Sequence, residues 1–220
     1  TEVSRIDDVL RTLGEGRDVA IVSDAGTPGI SDPGERIVRA TVDAGYPVSA
    51  VPGPSAAIMA LTISALATDR FVFEGFIPRK GADRAGRLAE IAAEHRTTVL
   101  YEAPHRVLRT LDDLREACGD DRTVVVAREL TKLHEEIVRG PLGTIDIGDP
   151  RGEYVLVIEG APVDDRTATD DEVRQALRSH LDDGASTRDA AAAVAREVGR
   201  PKREVYALAI ALDRQTGSDE

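Results

Sequence analysis

The residues best suited to chemistry near the start of the chain form the pentapeptide Asp24-Ala25-Gly26-Thr27-Pro28. It follows residues 18–22, a short apolar run that predicts a buried strand. Ligands of open α/β sheets bind at the carboxyl ends of strands, so we expect this loop to face a ligand. Gly26 lets the backbone approach closely, Pro28 fixes the turn, and Asp24 supplies a carboxylate. An ordinary strand-to-helix turn is the alternative interpretation.

A second loop of the same kind follows about one strand–helix unit later. Residues 46–51 predict a strand that continues into Pro52-Gly53-Pro54-Ser55-Ala56, where two prolines and a glycine make a stiff loop. Ser55 is expected to cap a helix over residues 56–66, whose free N–H groups favour polar or anionic ligand groups. Two rigid loops at one edge of a sheet can form two walls of a pocket.

Polar side chains that can accept a proton or hold negative charge follow two later strands. The candidates are Glu102, Arg128, Glu129 and Lys132. The first comes directly after the predicted strand 97–101, and the others follow the predicted strand 123–127. A carboxylate can act as a general base, and Lys or Arg can stabilise an alkoxide or bind a phosphate. The alternatives are a helix cap at Glu102 and a surface ion-pair cluster for the rest, and the sequence does not identify the base.

The clearest cluster of cations lies at the junction of a predicted strand and helix. Its members are Arg79, Lys80, Arg84 and Arg87. They can bind the phosphates of RNA, although a solvated loop and helix face explains the pattern equally well. The net charge of −12 argues against a general nucleic-acid binder but permits such a patch. With 3% aromatic residues and no Trp, recognition of shape and phosphate is expected rather than stacking on a broad aromatic platform.

The elements that must position these residues form three predicted parts. They are an N-terminal α/β domain over residues 1–68, a second α/β domain over 69–162 and a helical domain over 163–220. The second domain predicts a mixed sheet with strands at 71–76, 97–101, 123–127, 136–139 and 154–159, and helices near 82–94 and at 104–118. The third predicts helices at 170–181, 187–198 and 201–212. These helices can form a helix-turn-helix-like RNA module or a packing or dimerisation bundle.

Composition narrows the class of protein. With 41% hydrophobic residues and no long apolar run, the chain is expected to be a globular protein without a membrane span. The single cysteine, Cys118, excludes an internal disulfide and fits a reducing cytoplasm. Cysteine and histidine show no metal-ligand spacing, so no metal is expected.

A series of motifs spans nearly the whole chain. They are SDAGTP at residues 23–28, DPG at 32–34, VPGPSA at 51–56, FVFEGFIP at 71–78, YEAPHR at 101–106, ARELTK at 127–132 and GEYVLVIEG at 152–160. In this order they resemble the tetrapyrrole-methylase superfamily. More narrowly they resemble its bacterial branch that 2'-O-methylates a cytidine ribose in small-subunit (16S) ribosomal RNA.

The resemblance implies a two-domain class III methyltransferase fold, with S-adenosyl-L-methionine bound between the two α/β domains. It also implies the small ribosomal subunit as partner and a homodimer. The predicted cofactor site comprises Ser23, Asp24, Ala25, Gly26, Thr27, Pro28, Pro52, Gly53, Pro54, Ser55, Ala56, Tyr101, Glu102 and Ala103. Two alternatives stay open. One is a methyltransferase of the same superfamily that acts on a tetrapyrrole or on a modified histidine of a translation factor. The other is a non-catalytic ribosome-binding protein.

The start of the chain departs from the family pattern. The family's Pro-x-Gly-Asn-Leu-type loop and its Glu-Asp-Thr-Arg-type motif do not occur here. Thr1 is followed at once by a predicted amphipathic helix over residues 3–13. Only two predicted strands precede Ser55, too few for a stable sheet layer. We therefore expect an upstream segment of about one or two strand–helix units.

Overall fold

The computed structural model describes residues 3–24, 26–162 and 168–216. The chain divides into two units, residues 1–162 and 163–220. The predicted boundary at residue 68 lies inside the first unit and stays a prediction. Ala25, one of the predicted cofactor contacts, falls outside the described residues.

The first unit contains helices whose bounds largely follow the sequence prediction. In its described part they are α1 Ile6–Gly14, α2 Glu35–Asp43, α3 Ala56–Ile63, α4 Gly81–Ala93 and α5 Pro104–Cys118. A short 3-10 turn, Val3–Arg5, precedes α1, so the predicted helix over residues 3–13 is split into two pieces. The sequence analysis missed α2, a helix of nine residues in which only Thr41 is buried. α5 begins at Pro104 because the fixed φ of proline suits a first helical turn.

Five strands form one mixed sheet in the order β1-β2-β5-β3-β4. The strands are β1 Phe71–Phe76, β2 Thr97–Glu102, β3 Thr123–Arg128, β4 Glu136–Pro141 and β5 Tyr154–Ile158. β1 is parallel to β2, and β5 is antiparallel to both β2 and β3. β2 and β3 therefore run in the same direction on either side of β5, and the prediction of a mixed sheet is confirmed.

The carboxyl ends of β1, β2 and β3 meet at one edge of this sheet, which we call the ligand edge. Phe76 lies opposite Tyr101 in the parallel pair. Glu102 and Arg128 both lie opposite Tyr154 on the central strand. Because neighbouring strands are about 4.8 Å apart, the backbones of Glu102 and Arg128 are about 10 Å apart. The polar residues that the sequence placed after different strands thus share one edge.

Apolar side chains pack on both faces of the sheet. Leu100 and Leu156 point to the face covered by α4 and α5, which we call the α5 face. Val99 and Val157 point to the opposite face, which packs against α3 and which we call the α3 face. Successive residues of a strand alternate between the two faces, so each strand contributes to both cores.

Two predicted strands do not form. Residues 18–22 and 46–51 adopt no regular secondary structure, and among the described residues neither pairs with a strand of the sheet. A strand is stable only when its backbone groups are paired by a neighbour. Without such a neighbour the apolar side chains stay in solvent, with Val22 85% and Val51 91% exposed.

The second unit consists of three helices in its described part, α6 Asp170–Asp182, α7 Thr187–Glu197 and α8 Lys202–Thr216. Leu177, Val194 and Val205 are fully buried in its own apolar core. The side chain of Ser186 accepts a hydrogen bond from the backbone N–H of Asp189 and so caps the start of α7. None of the helices in the described ranges is long and apolar enough to cross a membrane.

Candidate active site

The structure brings the three predicted cofactor loops together. Thr27 Oγ1 donates a 3.0 Å hydrogen bond to the carbonyl oxygen of Pro54, which joins the first loop to the second. The hydroxyl oxygen of Tyr101 accepts a 3.2 Å hydrogen bond from the backbone N–H of Ala57, which joins the second loop to the end of β2. Three segments that are distant in sequence therefore converge at the ligand edge.

Tyr101 takes over the capping role that the sequence analysis gave to Ser55. Ser55 is the N-cap residue of α3, but its side chain makes no hydrogen bond to the helix and bonds the Tyr101 hydroxyl instead. Burial raises the pKa of Tyr101, so the phenol is neutral at pH 7. The rings of Phe73 and Phe76 pack edge-on against it, with centroid distances of 5.0 and 5.7 Å.

The first two loops present an exposed, glycine-bearing surface. Gly26 has a φ of +69°, and a Cβ atom there would meet only the carbonyl oxygen of Pro54, at 3.9 Å. A side chain at Gly26 would therefore be strained and would fill the space beside the second loop. The exposed loop residues are Asp24, Gly26, Thr27, Pro52, Gly53 and Pro54, and the half-buried ones are Ser23, Pro28, Ser55 and Ala56. Such a surface suits a ligand that is held largely by backbone contacts.

Glu102 lies on the opposite side of the sheet from Tyr101. Its side chain is fully buried on the α5 face, where one oxygen accepts a 2.6 Å hydrogen bond from the Thr110 hydroxyl. The other oxygen accepts the backbone N–H of Ala103 at 2.8 Å and lies 3.2 Å from Nε of Arg106. The Glu102 side chain therefore points away from the predicted cofactor loops, and its assignment to the cofactor contacts stays a prediction for its backbone only. With both oxygens occupied inside the protein, its geometry suits a positioning role better than that of a proton acceptor.

A second buried group, Arg84, extends this network. The Arg84 side chain is 5% exposed and donates to Asp113 at 2.7 Å and to the Thr110 hydroxyl at 3.0 Å. It also donates to the carbonyl oxygen of Pro78 at 2.9 Å. All three guanidinium nitrogens are bonded inside the protein and the side chain is buried, so Arg84 does not belong to the exposed part of the predicted cationic patch.

The other predicted cations differ in their availability. Arg87 pairs with Glu74 and lies 3.0 Å from Glu90, and the hydrogen bond that it donates to Glu74 is the main cause of its raised pKa. Arg79 and Lys80 are exposed, and neither forms an ion pair with another described residue. These two carry the charge of the loop between β1 and α4.

Glu129 and Lys132 form an ion pair in the loop between β3 and β4. Lys132 Nζ lies 3.0 Å from Glu129 Oε1 and 2.8 Å from Glu153 Oε2. Hydrogen bonds to Glu153 and then to Glu129 raise the pKa of Lys132, so it carries a full positive charge at pH 7. The backbone N–H of Glu153 and the ammonium of Lys132 lower the pKa of Glu129, which makes its carboxylate a weak base.

The backbone of this loop is held in an uncommon conformation. Glu129 and Thr131 have φ values of +48° and +65°, a region that side chains other than glycine seldom adopt. Gly152 leaves room for the Glu129 side chain, because a Cβ atom at that position would lie 2.5 Å from the Glu129 carboxyl carbon. Strain of this kind persists only where the surrounding structure enforces it, and it is common at functional sites.

Arg128 and Glu153 complete the arrangement at the end of β3. Arg128 pairs with Glu136 at 3.2 Å, while its Nε is buried without a hydrogen-bond partner among the described residues. Sequence reasoning missed Glu153. The antiparallel register that sets Arg128 opposite Tyr154 also brings the residue before Tyr154 beside Glu129, and only strand pairing reveals this. In the described ranges, no group of three or more His, Cys, Asp and Glu side chains is arranged to hold a metal.

Comparisons with known proteins identify the family and the fold of this chain. Residues 2–146 match the family model of tetrapyrrole (corrin/porphyrin) methylases, and residues 167–213 match the RsmI C-terminal HTH domain. The crystal structure of the methyltransferase CobJ superposes with a TM-score of 0.58 and 25% identity over 73% of this chain and 72% of that one. Uroporphyrin-III-C-methyltransferase from Thermus thermophilus superposes at 0.53, with 19% identity over 72% and 71%. The fold is that of a two-domain class III methyltransferase with a small helical C-terminal part, as predicted.

Close relatives narrow the class further. A ribosomal RNA small subunit methyltransferase I from Synechocystis sp. is 46% identical over 214 residues, which are 95% of this chain and 77% of the relative. The protein of that name from Mycobacterium tuberculosis is 42% identical over 221 residues, 98% of this chain and 76% of the relative. The chain therefore belongs to the tetrapyrrole methylase family, within the branch of ribosomal RNA small subunit methyltransferase I.

Proposed function

We propose that the protein uses S-adenosyl-L-methionine to methylate the 2'-oxygen of a cytidine ribose in 16S ribosomal RNA of the small subunit. The observation that supports this most is the convergence of the three loops through Thr27, Pro54 and Tyr101. It occurs in a chain whose relatives are named as small-subunit ribosomal RNA methyltransferases. The motif resemblance adds the 2'-O-cytidine specificity.

The residues at the ligand edge fit the cofactor. S-adenosylmethionine supplies a methyl group on a sulfonium centre. Gly26 leaves space, the loop of Pro52 to Pro54 is exposed and stiff, and the neutral Tyr101 phenol fixes the second loop against β2. These groups would hold adenosine and the methionine tail largely through backbone contacts.

Methyl transfer asks little covalent chemistry of the protein, so positioning and charge are its main contributions. The ribose hydroxyl must lose its proton to water as it attacks, so negative charge develops on its oxygen. Lys132, held protonated by two carboxylates, is the cation that stabilises this charge or binds an adjacent phosphate. Arg79 and Lys80 bind phosphates further along the RNA.

Glu102 contributes indirectly. Through Thr110 and Arg106 it fixes the turn at Ala103 between β2 and α5. It is therefore a positioning residue rather than the base. The motif resemblance also supports a homodimer that acts in the cytoplasm on the small ribosomal subunit.

A transfer assay tests the proposal. Tritiated S-adenosylmethionine is supplied with small ribosomal subunits from a strain that lacks this methylation, with fully methylated subunits, or with free porphyrin precursors. We expect label only in the unmethylated subunits, and digestion of their RNA should release it as 2'-O-methylcytidine. Label in the porphyrin would support the tetrapyrrole alternative. No transfer to any acceptor would support a non-catalytic role.

A further inference from the structure

Phe76 is an exposed aromatic ring at the ligand edge. It ends β1, and 53% of its surface is open to solvent. Its centroid lies 5.7 Å from that of Tyr101, with the two rings inclined at 60°. A large ring that is half exposed beside the predicted cofactor loops offers a flat apolar surface that a planar ligand group can cover.

A β-bulge aims Phe76 at this position. The register of β1 against β2 shifts between Phe73 and Gly75. In a regular strand, residues three apart point to opposite faces of the sheet. The bulge adds one residue between Phe73 and Phe76, so both rings contact Tyr101. Gly75 has a φ of +58°, and a Cβ atom there would lie 3.0 Å from Ser31 Oγ. The bulge therefore packs against the segment that follows the first cofactor loop.

Two hydrogen bonds to backbone carbonyl oxygens anchor the chain that follows Phe76. The carbonyl oxygen of Ile77 accepts a 2.8 Å hydrogen bond from Arg106, and that of Pro78 accepts one of 2.9 Å from Arg84. Ile77 itself is buried. Two guanidinium groups thus fix the loop where it leaves the sheet, and this limits the entropy that Phe76 loses when it binds a ligand.

The two residues after the anchor are the exposed cations Arg79 and Lys80, which form no ion pair with another described residue. A ring and adjacent free cations are what single-stranded nucleic acid requires, since bases stack on aromatic faces and phosphates bind cations. We propose that Phe76 stacks on an unpaired base of the RNA substrate, with Arg79 and Lys80 on the neighbouring phosphates. The choice of RNA as ligand rests on the proposed function.

Fluorescence can test the stacking without any methyl transfer. The chain contains no Trp, so a Phe76→Trp protein carries a single reporter at the proposed site. Phe71→Trp is the matched control, because Phe71 lies at the opposite end of β1 and is 36% exposed. Both proteins are titrated with a single-stranded RNA of about twelve nucleotides, and separately with S-adenosylhomocysteine.

We expect RNA to quench the emission of the Phe76→Trp protein and to leave that of the Phe71→Trp protein unchanged. Equal quenching of both proteins, or none in either, would overturn the proposal. Quenching by S-adenosylhomocysteine alone, with no further change when RNA is added, would assign the ring to the cofactor and would also overturn it.

Kinetics provide the second readout. Phe76→Leu should raise KM for small subunits about tenfold, with kcat and cofactor affinity unchanged, since base stacking is lost while apolar bulk is kept. Phe76→Tyr should restore the wild-type KM, and Phe71→Leu should match the wild type. A wild-type KM for Phe76→Leu would contradict stacking. If the wild-type protein methylates no small subunits, the proposed function fails, while the fluorescence titration still decides whether Phe76 stacks on RNA.

Discussion

At the residue scale, the neighbours Tyr101 and Glu102 show how one strand end serves two purposes. Tyr101 points to the α3 face, where its hydroxyl links β2 to the loop before α3. Glu102 points to the α5 face, where Thr110 and Arg106 occupy its carboxylate. Tyr101 therefore shapes the predicted cofactor site, and Glu102 fixes the turn that follows β2.

Gly26→Val should abolish measurable binding of S-adenosylmethionine. A branched side chain disfavours the φ of +69° and fills the space next to Pro54. Isothermal calorimetry measures the affinity.

Gly119→Val is the matched control, since Gly119 also has a positive φ, +89°, with no atom near its Cβ position. It follows α5, whose 15 residues carry the chain about 22 Å from the ligand edge. Unchanged affinity in Gly26→Val would rule out this loop as the cofactor site.

Lys132→Ala should lower kcat on small subunits about 100-fold while cofactor affinity stays constant, because a cation that stabilises developing negative charge is removed. Lys132→Arg keeps the charge between Glu129 and Glu153 and should retain a larger part of the rate. Single-turnover transfer at saturating cofactor and subunits is the measurement. If Lys132→Ala reacts at the wild-type rate, the ion pair is purely structural.

At the scale of elements, strand ends and helix starts are joined by buried polar contacts. Thr110 of α5 donates to Glu102 of β2 and accepts from Arg84 of α4. Arg84 then reaches the loop after β1 through the carbonyl oxygen of Pro78. One fully buried hydroxyl therefore connects three elements at the ligand edge.

Thr110→Val should destabilise the first unit by about 3 kcal/mol, because it removes one hydrogen bond from a buried carboxylate and one from a buried guanidinium at nearly constant volume. It should also raise KM for small subunits, because Arg84 donates a hydrogen bond to the carbonyl oxygen of Pro78 and so anchors the loop that carries Arg79. Urea unfolding and transfer kinetics are the measurements. Thr62→Val is the control, because the exposed Thr62 hydroxyl bonds only to the carbonyl oxygen of Ile58 in its own helix. Equal stability of the two variants would contradict a central role for Thr110.

At the scale of the whole molecule, each unit has its own apolar core. The first unit encloses its sheet between helices, and the second packs α6, α7 and α8 around Leu177 and Val194. The second unit matches the RsmI C-terminal HTH domain, which agrees with a helix-turn-helix-like module. Whether these helices contact RNA or pack in a dimer stays a prediction.

Leu177→Ala should lower the stability of the second unit by about 3 kcal/mol, because it opens a cavity in a fully buried core. The affinity for S-adenosylmethionine should not change. Native-state hydrogen exchange followed by mass spectrometry measures both units separately. Leu114→Ala, in the core of the first unit, is the reciprocal control. Faster exchange throughout residues 1–162 in Leu177→Ala would show that the two cores unfold together.

The sequence by itself determined the features that depend on neighbouring residues. Periodicity and Pro104 gave α5 with its observed bounds, and apolar runs gave β2 and β3 with a shift of one residue at the end. The glycine and proline loops predict where a ligand binds, because their chemistry is local, and this site stays a prediction. The ordered motifs identified the family, which the comparisons confirm.

Only the tertiary structure decided which polar groups are available. Because side chains alternate along a strand, Tyr101 and Glu102 must point to opposite faces of the sheet. The packing of α3 and α5 decides which of these faces meets the predicted cofactor loops. The sequence pattern predicted Arg84 to be a surface cation. In the structure it is buried against Asp113, which lies 29 residues later in the chain. Residues 18–22 lack a strand because no described neighbour pairs with them. Burial, charge pairing and strand pairing each require partners that are distant in the chain, and so a local pattern predicts an element but not the environment of its side chains.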